Sequence, residues 1–166
     1  MTKDKKFDSK IKYSGIFDFK EFYQFCFKWI KGELEMKVVE EEYEEKLKGN
    51  EKELKIKWKC SIKIADYFEY EMGVEFDIKR MVEVEIVKEN SKTKTNQGEI
   101  KLSVKGIFIK DPKGQFESSA NKKFMRGIYE KFIIPSRIKE YEDRLIADCD
   151  EFLAQAKAFL DLEGRK

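Results

Sequence analysis

Between Leu54 and Phe108 apolar and polar residues alternate with a period of two, and this pattern limits the fold more than any other property of the chain. Leu54, Ile56, Trp58, Cys60, Ile62 and Ile64 share one side of a strand, with Lys55, Lys57, Lys59, Ser61 and Lys63 on the other. The next segment repeats the pattern with the opposite charge. Phe68, Tyr70, Met72, Val74, Phe76 and Ile78 alternate with Glu69, Glu71, Gly73, Glu75 and Asp77, and the apolar series resumes at Val82, Val84 and Ile86. Ile100, Leu102, Val104 and Phe108 mark a further strand. Only a half-buried antiparallel sheet carries such alternation.

Parity then sets the pairing, because a slip of one residue turns the wrong face inward. A three-residue turn at Ala65-Asp66-Tyr67 places Ile64 opposite Phe68, and therefore Lys63 opposite Glu69, Lys57 opposite Glu75 and Lys55 opposite Asp77. A tight turn at Gly49-Asn50 sets Lys48 against Glu51 and brings Glu44, Glu42 and Glu40 beside Lys55, Lys57 and Lys59. With Ser91 to Gln97 read as a polar loop, Ile86 pairs with Ile100 and Glu85 with Lys101. The outer face is then a set of alternating acidic and basic rows, each cross-strand pair contributing roughly 0.2–1 kcal/mol. An unbroken strand from Phe68 to Lys88 would run about 70 Å at roughly 3.3 Å per residue. A bend or bulge is therefore expected at Lys79-Arg80-Met81, where the alternation breaks.

Helical signals flank the sheet. Asp18 and Glu21 have the spacing of a capping box, Phe17 can staple to Phe22, and Gly32 ends a helix that is apolar around most of its girth. Asp111-Pro112-Lys113-Gly114 reads as a turn, and Ser118 as the cap of a helix to about Ile133 with Phe124, Ile128 and Phe132 on one face. Pro135 opens a last helix carrying Ile138, Tyr141, Leu145, Cys149, Phe152, Ala156 and Phe159 as a stripe. The expected fold is α+β: a four-stranded, strongly bent antiparallel β-meander packed on one face by an N-terminal helix and a long C-terminal helix. Residues 1–14 read as a flexible basic tail and residues 15–166 as a single α+β domain. The layout resembles that of helix-grip lipid-binding domains and chaperone-cofactor domains, a likeness of architecture from which no function follows.

Composition enters by exclusion. The 166 residues contain 35 basic and 33 acidic side chains, a net charge of +2, which does not suit a generic binder of nucleic acid. The Lys55/57/59/63 row has acidic neighbours and no interleaved aromatics, so it reads as a salt-bridged strand. There is no histidine, which removes His general bases, His metal ligands and Ser-His or Cys-His pairs. Cys26, Cys60 and Cys149 form no CxxC and read as buried free thiols of a reducing compartment, which suits the cytoplasm. The Glu40–Glu45 run alternates across a strand and cannot converge on a cation. No stretch has the length and apolarity of a membrane span.

No catalytic residue, metal ligand or cofactor motif is assigned, and an enzyme is the less favoured class. The ligand-binding candidates are Arg80, Trp58 and Trp29. On the expected register Arg80 points into the apolar face opposite Gly106, where it would either anchor an anionic head group or pair with Glu45, unless a bend exposes it. Trp29 belongs to the aromatic helix and Trp58 to the apolar side of its strand. The favoured function is a non-catalytic protein-interaction or assembly module, acting on a protein partner or on itself. The alternative is a carrier of an apolar or amphipathic small molecule in a cleft between sheet and helices.

Overall fold

The computed structural model describes residues 1–111, 120–128 and 135–164. Its sheet has five antiparallel strands: β1 (Thr2–Phe17), β2 (Lys37–Lys48), β3 (Glu51–Lys63), β4 (Phe68–Lys88) and β5 (Ser91–Lys110), in the order β1-β5-β4-β3-β2. Helix α1 (Phe19–Gly32) connects β1 to β2, and α2 (Ala120–Ile128) and α3 (Pro135–Glu163) follow the sheet. The expected Pro112–Gly114 turn, the Ser118 cap and Phe132 lie outside the described residues.

The fifth strand corrects the four-stranded expectation. Residues 2–14, within the expected loose tail, pair along β5 from Thr2↔Lys110 to Ser14↔Glu99, and the strand continues to Phe17↔Asn96. Its inward row is Phe7, Ser9, Ile11, Tyr13, Gly15 and Phe17, so a serine and a glycine interrupt the apolar series. A bulge at Lys6 also shifts the parity, and the lysine-rich outer row masks what remains.

The β3–β4 hairpin has the expected register, with Lys63↔Glu69, Lys57↔Glu75 and Lys55↔Asp77. The β2–β3 hairpin keeps Lys48↔Glu51 and Glu42↔Lys57, but a bulge at Glu41 places Glu40 opposite Trp58 instead of Lys59. The β4–β5 register differs throughout. Ser91 to Gln97 is strand, Ile100 pairs with Ile78, and Lys101 with Asp77. The cause is a two-residue turn in which Glu89 and Asn90 both adopt positive φ, 53° and 65°. That is the hairpin turn whose twist matches its strands, and Glu89 does not advertise it.

The expected break at Lys79–Met81 is a β-bulge between Lys79 and Val82. Arg80 sits in it at φ 54°. Gly98 fits against it because a Cβ there would lie 2.8 Å from the Met81 Cα and 3.1 Å from the Arg80 carbonyl oxygen. Before the bulge β4 pairs with both β3 and β5; past Met81 it pairs only with β5.

Helix α1 starts as its sequence requires, with the Asp18 carboxylate accepting from the Glu21 backbone N–H at 3.0 Å. At its end it is Glu35, not Gly32, that turns left-handed (φ 55°), and the Met36 N–H donates to the Ile30 carbonyl at 3.2 Å. This closure, which spans six residues, satisfies an otherwise orphaned carbonyl. The wide apolar arc of α1 has a structural reason. Phe22, Cys26 and Ile30 are buried, with Phe22 against Phe76 of the sheet. Tyr23 and Phe27 flank Trp58, while Phe25 and Trp29 pack on Phe159 and Phe152 of α3. Helix α3 lies over β1 and β5. Gly106 allows its approach, since a Cβ there would be 2.9 Å from the Cys149 Sγ and 3.1 Å from the Phe7 Cβ.

Four antiparallel pairings separate the two border strands, so β1 and β2 run in the same direction. Each carries a bulge, at Lys6 and at Glu41. Lys6 forms an ion pair with Glu142 of α3 at 3.4 Å.

Candidate functional site

Arg80, Trp58 and Trp29 do not form one site. Arg80 does not face the apolar side. The bulge adds a residue to β4 and gives the inward place, beside Lys52, to Met81. The Arg80 side chain is 71% exposed and its Nη1 lies 3.3 Å from the Glu99 Oε1, while Glu45 pairs with Lys52 at 3.2 Å. Gly106 faces Met72 and Phe7 instead. Trp29 and Trp58 lie on opposite flanks of α1. Trp29 is half-buried against Phe152, and Trp58 is 2% exposed between Tyr23, Phe27 and Phe76.

Trp58 belongs to a polar constellation that the alternation conceals. Because the Glu41 bulge turns Glu40 to the helix side, the Glu40 Oε1 accepts from the Tyr23 hydroxyl at 2.7 Å and from the Trp58 Nε1 at 3.3 Å. Burial, followed by the bond to this carboxylate, pushes the Tyr23 phenol up to about 12. The ring centroids of Tyr23 and Trp58 are 5.0 Å apart, and those of Trp58 and Phe76 4.8 Å. Rings this close leave no room for a guest between them, so the constellation is a hydrogen-bonded edge of the core, with Trp58 and Phe76 buried and Glu40 on the exposed side.

The outer face is a charge ladder over most of its width. Glu42 lies 3.5 Å from Lys57, Lys59 3.2 Å from Glu71 and Lys101 3.8 Å from Asp77. The ladder is interrupted between β5 and β1, where Lys12 faces Lys101 and Lys10 faces Ser103. Asp8, opposite Lys105, is bound to Lys5 at 3.0 Å. The hydrogen bond from Lys5 holds the Asp8 carboxyl below its ordinary value, and Lys105 and Lys10 add to the effect. Among the described residues Lys10, Lys12 and Lys105 make no ion pair. A groove of about 490 Å³ opens beside them, lined by Lys12, Ser14, Lys79 and Lys101 with Asp77 and Glu99. The sequence signal for this stripe is present in Lys10 and Lys12, but it acquires meaning only once those residues are placed on a strand beside β5.

A second recess of about 200 Å³ lies where β3, β4, the α1–β2 connection and α3 meet. It has an apolar wall and two charged residues, Arg144 and Asp148, on the helix side. Among the described residues no group of three or more His, Cys, Asp or Glu is placed to hold a metal ion. Nor is any helix among them long and apolar enough to cross a membrane. The thiols of Cys60 and Cys149 are pushed up to about 12, in both cases chiefly by burial.

No family model matches the chain, and no curated protein or solved structure is significantly similar to it.

Proposed function

We propose that this protein is a non-catalytic binding module that receives an acidic segment of another protein on the outer face of β1 and β5. The observation that supports this reading is the like-charge pair Lys12↔Lys101, flanked by Lys10 and Lys105, which make no ion pair among the described residues. Like charges directly opposite one another destabilise an antiparallel pair, by up to about 1 kcal/mol. The same sheet sets opposite charges against each other from β2 to β5. A local rule kept in most of a structure and broken in one patch points to a use for that patch. A row of carboxylates from a partner would supply the missing counter-charge, and Ser14 and Ser103 would add hydroxyl donors beside the lysines.

The test uses one substitution with two readouts. Lys12→Glu places a carboxylate opposite Lys101, so the free protein should melt at a higher temperature. The same variant should lose binding to a fluorescein-labelled Glu-rich peptide, measured by anisotropy at low salt, with wild-type affinity falling as salt rises. A variant that gains no stability would remove the like-charge argument. Equal or tighter wild-type binding to single-stranded RNA under the same conditions would replace a protein partner with a nucleic acid.

A further inference from the structure

The recess beside α3 differs in kind from the outer groove. Leu34, Ile62 and Ile64 form a half-buried apolar wall, and Met36 and Tyr70 close its base. Its volume is about 200 Å³. That is below the roughly 300–1,000 Å³ of sites for drug-sized ligands, so its occupant is small.

The rim is charged, with Arg144 exposed and Asp148 half-buried. Arg144 and Asp148 are one helical turn apart and both border the recess. They make no ion pair with each other or with any described residue. An arginine preceding its acid is the weaker order for an intrahelical pair, and this leaves both groups available. The remaining polar groups at the recess are engaged. Lys63 is held by Asp66 at 3.0 Å, and the Tyr70 hydroxyl donates to the Tyr141 carbonyl at 2.6 Å. Burial holds the Asp148 carboxyl above its ordinary value against the opposing pull of Arg144, a cost that a bound cation would relieve. The site thus offers one cation, one partly desolvated anion and an apolar wall within the space of a few heavy atoms.

We propose that this recess binds a free α-amino acid with a branched apolar side chain. Its carboxylate would pair with Arg144, its ammonium with Asp148, and its side chain would lie against Leu34, Ile62 and Ile64. The terminal residue of a peptide presents only one of the two charges, and so fits less well. The proposal is independent of the lysine stripe, which lies on the other face of the sheet.

Methyl NMR of isoleucine-labelled protein, titrated with L-leucine, tests it. The Ile62 and Ile64 methyls should shift saturably while the core methyl of Ile78 stays fixed. Arg144→Met and Asp148→Asn should each weaken binding by about tenfold or more, as losing one charge-assisted contact does. Leucinamide, which lacks the carboxylate, and N-acetylleucine, which lacks the ammonium, should bind correspondingly worse. An unmoved Ile78 methyl in each variant establishes that it is folded. Leucine leaving Ile62 and Ile64 unmoved at tens of millimolar overturns the proposal. So does N-acetylleucine binding as well as leucine with Asp148→Asn silent, since the site would then recognise a peptide C-terminus.

Discussion

Glu40 shows how one side chain can take a role opposite to the one its neighbours suggest. Within an acidic run it reads as another solvated carboxylate of the ladder, yet it bonds both the Tyr23 phenol and the Trp58 indole. The phenol is protonated in the folded protein up to about 12, against an ordinary value of 10.0. An acid whose value rises on folding favours the folded state only while it stays protonated there. The contribution of Tyr23 to stability is therefore expected to be constant below about pH 10 and to fall as pH rises toward 12. Tyr70, raised to about 12 mainly by burial, contributes a parallel slope. Tyr23→Phe should flatten part of this alkaline decline in denaturant titrations run across that range; an unchanged slope would mean the phenol is not shielded. The two tryptophans should separate as well. Trp58→Ala removes a 2% exposed side chain and should cost about 3–5 kcal/mol. Trp29→Ala removes a half-buried one and should cost less, by the same chemical denaturation assay.

At the level of elements, the β4–β5 hairpin depends on a close fit at its bulge. An alanine Cβ at Gly98 would meet backbone atoms of Met81 and Arg80, which cannot move aside as a side-chain tip can. Gly98→Ala should therefore destabilise by about 1–3 kcal/mol, the range for overpacking, whereas the same change at the open Gly73 should cost far less. A small loss at Gly98 would show that the bulge can relax. The legibility of the fold divides along these same features. The β3–β4 register is readable residue by residue because uninterrupted alternation and opposite charges agree. The α1 start is equally plain, since Asp18 and Glu21 have one local explanation. The departures in register trace to one extra residue or to a turn without glycine. Glu41 and the Arg80–Met81 bulge each change which face follows, and Glu89-Asn90 lacks the usual turn composition. Counting straight through the bulge turns Arg80 inward, where the structure has Met81. The outer lysine stripe is hidden for a different reason, because β1 has too weak an alternation to be recognised without its partner strand.

For the molecule as a whole, α1 and α3 occupy the same side of the sheet. They cover it with aromatic packing, and this face carries the stability. The outer face contributes charge and, as proposed, the contact with a partner. The two functions can therefore be altered separately, and Lys12→Glu is expected to move stability and binding in opposite directions. The bulged borders have a further consequence. One border is rich in lysine and the other in glutamate, and both run the same way. A copy displaced sideways by the width of the sheet would bring attractive charges into line along two strands. Repeated displacement would generate a ribbon without end, since such head-to-tail contacts do not close. The irregular backbone at Lys6 and Glu41 interrupts the straight row of N–H and C=O groups that this would need, and Lys6 is also tied to α3. Deleting Lys6 and Glu41 together should leave the inner packing in place but yield thioflavin-positive polymer in concentrated solution, whereas the parent chain stays dispersed. Two single-residue irregularities would then be what keeps a chain with self-complementary borders from growing into a fibre.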